Sequence, residues 1–122
     1  TAGRISALRY GSIARLGSPG GRARTILALA RAVAEGDLVL MPNADIEATL
    51  DKLRALPGVG EWTAQYIAMR ALAWPDAFPH TDLGVMKALG TKDARHVLAA
   101  GEAWRPWRAY AVMHLWNTLT KD

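Results

Sequence analysis

The chain has 122 residues, of which 51% are hydrophobic and 21% charged, a composition typical of a folded globular protein rather than a disordered one. It contains no cysteine, which excludes disulfides, thiol nucleophiles and cysteine-based metal sites. Fifteen basic against eleven acidic residues give a formal charge of +4, which suits a polyanionic partner but would equally fit a basic ribosome-associated or membrane-surface protein. No apolar run is long enough to cross a bilayer, and we expect no membrane partner.

Apolar residues recur at helical spacing along nearly the whole chain, and no useful stretch alternates in the manner of a β-strand. Glycines and prolines mark most of the boundaries between the helical segments. The pattern predicts helices over about 5–16, 22–35, 43–53, 61–73, 82–89, 91–100 and 106–119. We therefore expect an all-α fold. Because the chain opens inside a helical pattern without an initiator Met, we also expect it to be part of a longer protein.

A short turn, Leu-Pro-Gly-Val-Gly at 56–60, separates the third and fourth predicted helices. Gly58 and Gly60 allow positive φ and the close approach of another backbone. The amides at the start of the next helix can bind a phosphate oxygen, and Thr63 can add a hydroxyl donor. Such contacts bind DNA without reading its sequence. Considered alone, the motif is better explained as a plain turn between two packed helices.

The continuation of this motif resembles that of the helix–hairpin–helix DNA glycosylases. Their hairpin and their glycine/proline-rich loop with an aspartate resemble residues 56–64, Leu-Pro-Gly-Val-Gly-Glu-Trp-Thr-Ala, followed by Asp82 after a proline-containing loop. Within that superfamily the alkylpurine branch, 3-methyladenine DNA glycosylase II, is similar in Trp-Thr-Ala-Gln-Tyr at 62–66, Arg-Pro-Trp-Arg at 105–108 and the final Trp116. The resemblance extends over about 21–117.

This resemblance implies a fold and a domain organisation. Residues 1–122 would form the C-terminal part of an all-α helix–hairpin–helix glycosylase bundle, with the hairpin at about 50–63 and the loop and aspartate at 74–82. The missing N-terminal region of the parent chain would supply one wall of the cleft and the residue that fills the gap left by a flipped base. The parent could also be a fusion with an alkylation-response regulator.

Asp82 is the catalytic residue that the resemblance implies. A fixed carboxylate can stabilise the positive charge that develops on the deoxyribose as the N-glycosidic bond breaks. Asp82 also lies at the predicted start of a helix, where the helix dipole and free amides favour an ionised carboxylate. The alternative role is an N-cap, worth about 1 kcal/mol, and the two roles can coexist. The other candidate carboxylates, Asp76 and Asp93, are interpreted as a loop residue and a first-turn residue of a solvent-facing helix.

Three aromatic residues, Trp62, Tyr66 and Trp116, are placed around the flipped base by the same resemblance. Trp62 and Tyr66 are four residues apart and share a helical face. An indole face attracts a cationic alkylated purine by about 0.5–2 kcal/mol beyond apolar burial. Core packing is the alternative for each of the three, and we expect Trp104 and Trp107 in the core or at its rim.

The identity of residue 62 also bears on the reaction. In superfamily members that cut the DNA strand, a lysine that forms a Schiff base occupies the position held here by Trp62. We therefore expect a monofunctional hydrolase without lyase activity. The absence of cysteine excludes the iron–sulfur cluster of some relatives, and no cofactor is required.

DNA-backbone contacts are implied for Gly58, Gly60 and Thr63. The hairpin of the family also suggests a monovalent cation, Na⁺ or K⁺, held by the main-chain carbonyls of Arg54, Leu56 and Val59. Four arginines are candidates for phosphate contacts or else are ordinary solvated surface charges: Arg22, Arg24, Arg105 and Arg108.

We therefore predict a DNA glycosylase of base-excision repair. It would hydrolyse the N-glycosidic bond of flipped alkylated purines of the 3-methyladenine and 7-methylguanine type in double-stranded DNA. We expect a monomer in the bacterial cytoplasm, associated with the nucleoid when on DNA, and we expect the fragment alone to lack full activity. The alternatives are a hairpin module that binds DNA without chemistry, a glycosylase for another lesion, and a scaffold within a larger alkylation-response protein.

Overall fold

The computed structural model describes residues 20–42 and 45–119. These residues form six α-helices and one 3₁₀ turn and contain no β-strand, which confirms the all-α prediction for the described part of the chain. Among the same residues no helix has the length and apolarity needed to span a membrane. The chain divides into two compact units, Thr1–Gly60 and Glu61–Asp122.

The first unit contains α1 (Gly20–Ala34) and α2 (Ile46–Ala55). Helix α1 begins two residues before the predicted start, so Gly20 belongs to the helix rather than to the preceding turn. The prediction of Asn43 as the N-cap of α2 is wrong, because the Asp45 carboxylate accepts a hydrogen bond from the Ala48 amide at 3.2 Å and is the N-cap. Asn43 itself and the predicted helix at 5–16 lie outside the described residues.

The apolar residues of the first unit are buried at helical spacing. On α1 these are Ala23, Leu27 and Ala30, and Ile26 packs against Ala23 and Leu27. Leu50 and Leu53 of α2 are almost fully buried. In the connector between the helices, Leu38 is buried, whereas Val39 and Met41 are exposed.

The turn at 56–60 is attached to α1 by a side chain. The Thr25 hydroxyl donates a hydrogen bond to the Pro57 carbonyl at 2.8 Å. Gly58 has a φ of +80°, and a Cβ at this position would collide with Thr25 Oγ1. Gly58 is therefore required both for its backbone conformation and for the space that it leaves to Thr25.

The second unit contains four helices and a long loop. Helices α3 (Glu61–Arg70), α4 (Leu83–Leu89) and α5 (Ala94–Gly101) are followed by a 3₁₀ turn (Glu102–Trp104) and α6 (Arg108–Leu119). Helix α4 packs against α6 and α5. The loop at 71–82 joins α3 to α4 and carries Asp82 at its end.

Four boundaries of the second unit differ from the prediction. Helix α3 ends at Arg70, and Ala73 lies beyond it with a positive φ of 52°. Helix α5 begins at Ala94 rather than at residue 91, because the Asp93 carboxylate caps it by accepting the Arg95 amide at 2.9 Å. Gly101 is the last residue of α5 rather than a terminator beyond it. Helix α6 begins at Arg108, so Pro106 precedes the helix instead of opening it.

A buried ion pair fixes the loop at 71–82 to the start of α6. Arg108 donates through Nε to Asp76 Oδ1 at 2.8 Å and through Nη2 to Asp76 Oδ2 at 3.0 Å, and both side chains are buried. Arg105 adds a third contact from Nη1 to Oδ2 at 3.1 Å. Burial raises the pKa of the Asp76 carboxyl, but the hydrogen bonds and charge of Arg108 outweigh it and hold that pKa below the ordinary value of 3.8.

This pKa shift predicts an acid-sensitive contribution to stability. A lowered folded-state pKa stabilises the protein fully above the ordinary carboxyl pKa of 3.8, and that contribution is lost as the pH falls through the lower folded value. Asp76→Asn should lower the free energy of unfolding by about 3 kcal/mol at pH 7, because it leaves the Arg108 charge buried without its partner. Denaturant unfolding at pH 7 and at pH values below 3.8 measures the difference between wild type and variant, which should shrink with acidification.

The matched control is Asp51→Asn, which removes the exposed carboxylate that pairs with Arg54 at 3.3 Å. A surface pair contributes at most about 1 kcal/mol, so this variant should remain close to wild type. A pH-independent difference for Asp76→Asn would contradict the assignment of the acid sensitivity to this ion pair.

Candidate active site

Asp82 is the N-cap of α4, and its carboxylate accepts three hydrogen bonds. Oδ1 accepts from the Trp62 indole Nε1 at 2.7 Å. Oδ2 accepts from the Trp116 indole Nε1 at 2.8 Å and from the Val85 amide at 2.9 Å. The two indoles belong to α3 and α6, so three helices contribute donors to one carboxylate. The cap of α4 and the contact with the tryptophans therefore coexist in one side chain.

The three aromatic residues predicted for the pocket lie together beside this carboxylate. Trp62 and Tyr66 stack with ring centroids 5.0 Å apart and an interplanar angle of 13°. Tyr66 and Trp116 are 6.3 Å apart and tilted by 43°. We refer to Trp62, Tyr66 and Trp116 as the aromatic cluster. Trp62 is 38% exposed, so part of the cluster faces outward.

Trp104 and Trp107, two of the three other tryptophans of the second unit, lie elsewhere. Trp104 is partly buried and meets Phe78 edge to face at 5.9 Å, in agreement with a place at the rim of the core. The prediction for Trp107 is wrong, because its side chain is exposed and tilted against the equally exposed Tyr110.

Arg70 is a site neighbour that sequence reasoning missed. Its guanidinium lies over the Tyr66 ring at 5.5 Å and over the Trp116 ring at 6.0 Å. Arg70 follows Tyr66 by four residues on α3, so helical spacing alone could have indicated the contact. The faces of these two rings already hold a cation in the structure.

Gly84 is a second missed residue, and no simple sequence signal marks it. A Cβ at this position would lie 3.0 Å from Asp82 Oδ2 and 3.2 Å from Trp116 Cδ1. The missing side chain gives the indole of Trp116 room to approach the first turn of α4. Gly84 thus permits the hydrogen bond between Trp116 and Asp82.

The residues predicted to bind the DNA backbone are divided between the two units. Gly58 and Gly60 lie at the end of the first unit, and a Cβ on Gly60 would meet no atom within 4 Å. Thr63 lies in the first turn of α3 and is partly buried. These contacts stay predictions.

The cation site at the hairpin also stays a prediction. Its three proposed ligands, the carbonyl oxygens of Arg54, Leu56 and Val59, are hard oxygen donors of the kind that suits a monovalent cation. The Leu56 carbonyl accepts the Val59 amide at 3.2 Å, which leaves it a second lone pair for a ligand.

The arginines proposed for phosphate contacts lie in different environments. Arg108 is only 7% exposed and donates to Asp76, so both predicted roles, a phosphate contact or a solvated surface charge, are wrong. Arg105 is half exposed, but its Nε donates to Glu102 at 3.0 Å and its Nη1 donates to Asp76. Arg24 is exposed and stays a candidate, and the side chain of Arg22 lies outside the described part.

Comparison with known proteins places the chain among DNA-repair proteins. No family model matches it. It is 50% identical over 108 residues to the probable bifunctional transcriptional activator/DNA repair enzyme AlkA of Mycobacterium tuberculosis H37Rv, covering 85% of the chain and 22% of that protein. It is 33% identical over 115 residues to DNA-3-methyladenine glycosylase 2 of Escherichia coli K12, covering 94% of the chain and 41% of that protein. The DNA-3-methyladenine glycosylase of Bacillus subtilis 168 is 35% identical over 108 residues, with 77% and 34% covered.

The helical fold, the hairpin motif and these relatives define the class as the helix–hairpin–helix DNA glycosylases. The chain spans between about a fifth and two fifths of the length of the relatives it matches. Within the class, the chain is homologous to a C-terminal portion of longer proteins named AlkA or DNA-3-methyladenine glycosylase 2.

The hydrogen bonds to Asp82 predict two distinctive signals among the indole N–H groups of the five tryptophans. The Trp62 and Trp116 N–H groups donate to a carboxylate and should exchange with solvent more slowly than that of the exposed Trp107. Asp82→Ala should shift both signals in a ¹H–¹⁵N correlation spectrum and accelerate their exchange by about tenfold or more, since it removes the common acceptor.

Asp93→Ala is the matched control, because Asp93 caps α5 but accepts no indole N–H among the hydrogen bonds described. This control should leave the Trp62 and Trp116 signals in place. Unchanged indole signals in Asp82→Ala would show that the carboxylate does not hold the two tryptophans.

Proposed function

We propose that the protein containing this chain is a monofunctional DNA glycosylase of base-excision repair that hydrolyses the N-glycosidic bond of flipped alkylated purines. The observation that carries the proposal is the Asp82 carboxylate, held between two indole N–H groups beside the aromatic cluster. The names of the E. coli and B. subtilis relatives support 3-methyladenine as one of the released bases.

Asp82 would stabilise the charge that develops on the sugar. When the bond between C1′ and the purine nitrogen breaks, its electron pair neutralises the cationic alkylated base, and positive charge appears on the deoxyribose. A water molecule then adds to C1′ and loses a proton. Three N–H donors fix the carboxylate before the reaction begins, so little reorganisation is needed as the charge forms.

The aromatic cluster would bind the flipped base through its ring faces. An N-alkylated purine carries positive charge, and the Arg70 guanidinium over Tyr66 and Trp116 supports the view that these faces attract cations. Trp62 and Tyr66 are already in contact, so a base cannot enter between them without separating them. The exposed part of Trp62 is the surface on which we expect the purine to stack.

The proposal includes the absence of strand cleavage. Trp62 carries no amine that could attack C1′ and form a Schiff base, so water is the nucleophile. Double-stranded DNA is the proposed partner, and the main-chain amides near Gly58 and Gly60 with the Thr63 hydroxyl would hold its phosphates. A DNA substrate would place the working protein at the nucleoid, in the cytoplasm.

The test is the release of 3-methyladenine from methylated duplex DNA by the full-length protein that contains this chain. We expect release by the wild type without strand cleavage, and a loss of at least about 100-fold in Asp82→Asn. Duplex affinity should change by less than about threefold, because Asp82 is proposed to act on the sugar rather than on the backbone. The isolated chain should release less than the full-length protein.

Asp93→Asn serves as the matched control, since Asp93 is also an N-cap aspartate but has no place in the proposed chemistry. It should release the base at the wild-type rate. DNA binding without any release by the wild type would favour the non-catalytic binding module. Wild-type release by Asp82→Asn would remove Asp82 from the mechanism.

A further inference from the structure

The loop at 71–82 is attached to the helices of the aromatic cluster at a distance from Asp82. On α3, the Gln65 side-chain oxygen accepts a hydrogen bond from the Phe78 amide at 3.0 Å. Gln65 is 8% exposed, and its amide nitrogen donates to Glu61 Oε1 at 2.9 Å, which orients the side chain. A buried main-chain N–H of the loop is thereby satisfied by a side chain of α3.

The second attachment is made by α6. Arg108, the first residue of α6, holds Asp76 through two side-chain hydrogen bonds, and the Ala109 amide donates to the Pro75 carbonyl at 2.9 Å. The Arg108 guanidinium also lies over the Phe78 ring at 5.2 Å. The stretch 75–78 is therefore fixed to α6 by its side chains and by its main chain.

The same two helices hold Asp82 itself. Gln65 lies three residues after Trp62 on α3, and Arg108 lies eight residues before Trp116 on α6. Each helix thus contacts the loop both at 75–78 and at Asp82. Because α3 and α6 are rigid elements, their contacts with residues 75–78 help to set the distance between Asp82 and the two indoles.

We propose that Gln65 and Arg108 are positioning residues that place the Asp82 carboxylate within hydrogen-bond distance of both indoles. The carboxylate–indole distances of 2.7 and 2.8 Å leave little tolerance, since a hydrogen bond weakens over a few tenths of an ångström. Loss of either attachment would leave Asp82 as the cap of α4 but loosen its contacts with Trp62 and Trp116. The effect of this loss on the reaction rests on the proposed glycosylase function, whereas its effect on the two indole hydrogen bonds does not.

The chemistry of Gln65 suits this role. Its amide accepts from Phe78 and donates to Glu61 at the same time. Leucine has a similar size but would leave the Phe78 amide without an acceptor. Glutamate would keep the acceptor for Phe78 but would place a second carboxylate against Glu61. Asparagine is one methylene too short to reach the Phe78 amide from the same backbone position.

The experiment uses the full-length protein with two readouts. Single-turnover release of 3-methyladenine at saturating methylated duplex DNA measures the chemical step, and hydrogen exchange of the Trp62 and Trp116 indole N–H groups measures the site geometry. In Gln65→Leu we expect the rate to fall about tenfold or more and the indole exchange to accelerate, with duplex affinity within about threefold of wild type. Arg108→Lys, which keeps the charge but loses the two-pronged contact, should act in the same direction.

Thr91→Val is the matched control, because the Thr91 hydroxyl also accepts a main-chain amide, that of Asp93 at 3.1 Å, but outside the loop. It should leave both readouts unchanged. If Gln65→Leu does not fold, as judged by circular dichroism, the milder Gln65→Asn replaces it with the same expectations.

The two readouts separate the failure of this proposal from the failure of the proposed function. Wild-type rate and wild-type indole exchange in a folded Gln65 variant would reduce Gln65 to a stability role and overturn the proposal. If the wild-type protein releases no base, the glycosylase function fails, and indole exchange alone still decides whether Gln65 and Arg108 position Asp82.

Discussion

The helices of the second unit meet at the Asp82 carboxylate, whose two oxygen atoms accept hydrogen bonds from three N–H donors. Asp82 must lie at the start of α4 to cap it, and it must also reach one indole from α3 and another from α6. Hydrogen bonds to a charged acceptor are stronger than those to a neutral one, and a buried donor left without a partner is destabilising. The relative placement of three helices is thereby linked to the position of a single side chain. Gly84 also permits this arrangement, because its missing side chain leaves the space through which Trp116 approaches Asp82.

Features that depend on local spacing could be predicted from the sequence. The contact between Trp62 and Tyr66 follows from their four-residue separation, and the cap at Asp82 follows from an aspartate before a helical pattern. The N-cap of α2 was predicted wrongly because Asn43 and Asp45 have similar capping ability and lie close together. The choice between them depends on which side chain reaches a free main-chain N–H, and Asp45 reaches that of Ala48. The roles of Asp82 and the aromatic cluster came from resemblance to a family and not from spacing.

Long-range contacts were beyond the reach of sequence patterns. Gln65 is a polar residue in a helix and gives no sign that it accepts a main-chain amide thirteen positions away. Arg108 was expected either at a phosphate or as a solvated surface charge, yet it is buried against an aspartate 32 residues earlier. Such pairs become visible only when packing brings distant segments together. Because Arg108 and Asp76 neutralise each other inside the fold, the formal charge of +4 is carried by the remaining residues.

The direction in which the two indoles donate has a consequence for how a lesion could be told from a normal base. Trp62 and Trp116 each have a single N–H group, and both are committed to Asp82. Neither indole can then read the hydrogen-bonding edge of a purine. What remains available is ring surface, which responds to charge and stacking area but is indifferent to which ring nitrogen carries the alkyl group. Under the proposed function, such a site would select a positively charged base as a chemical state and would accept several different adducts that share this charge.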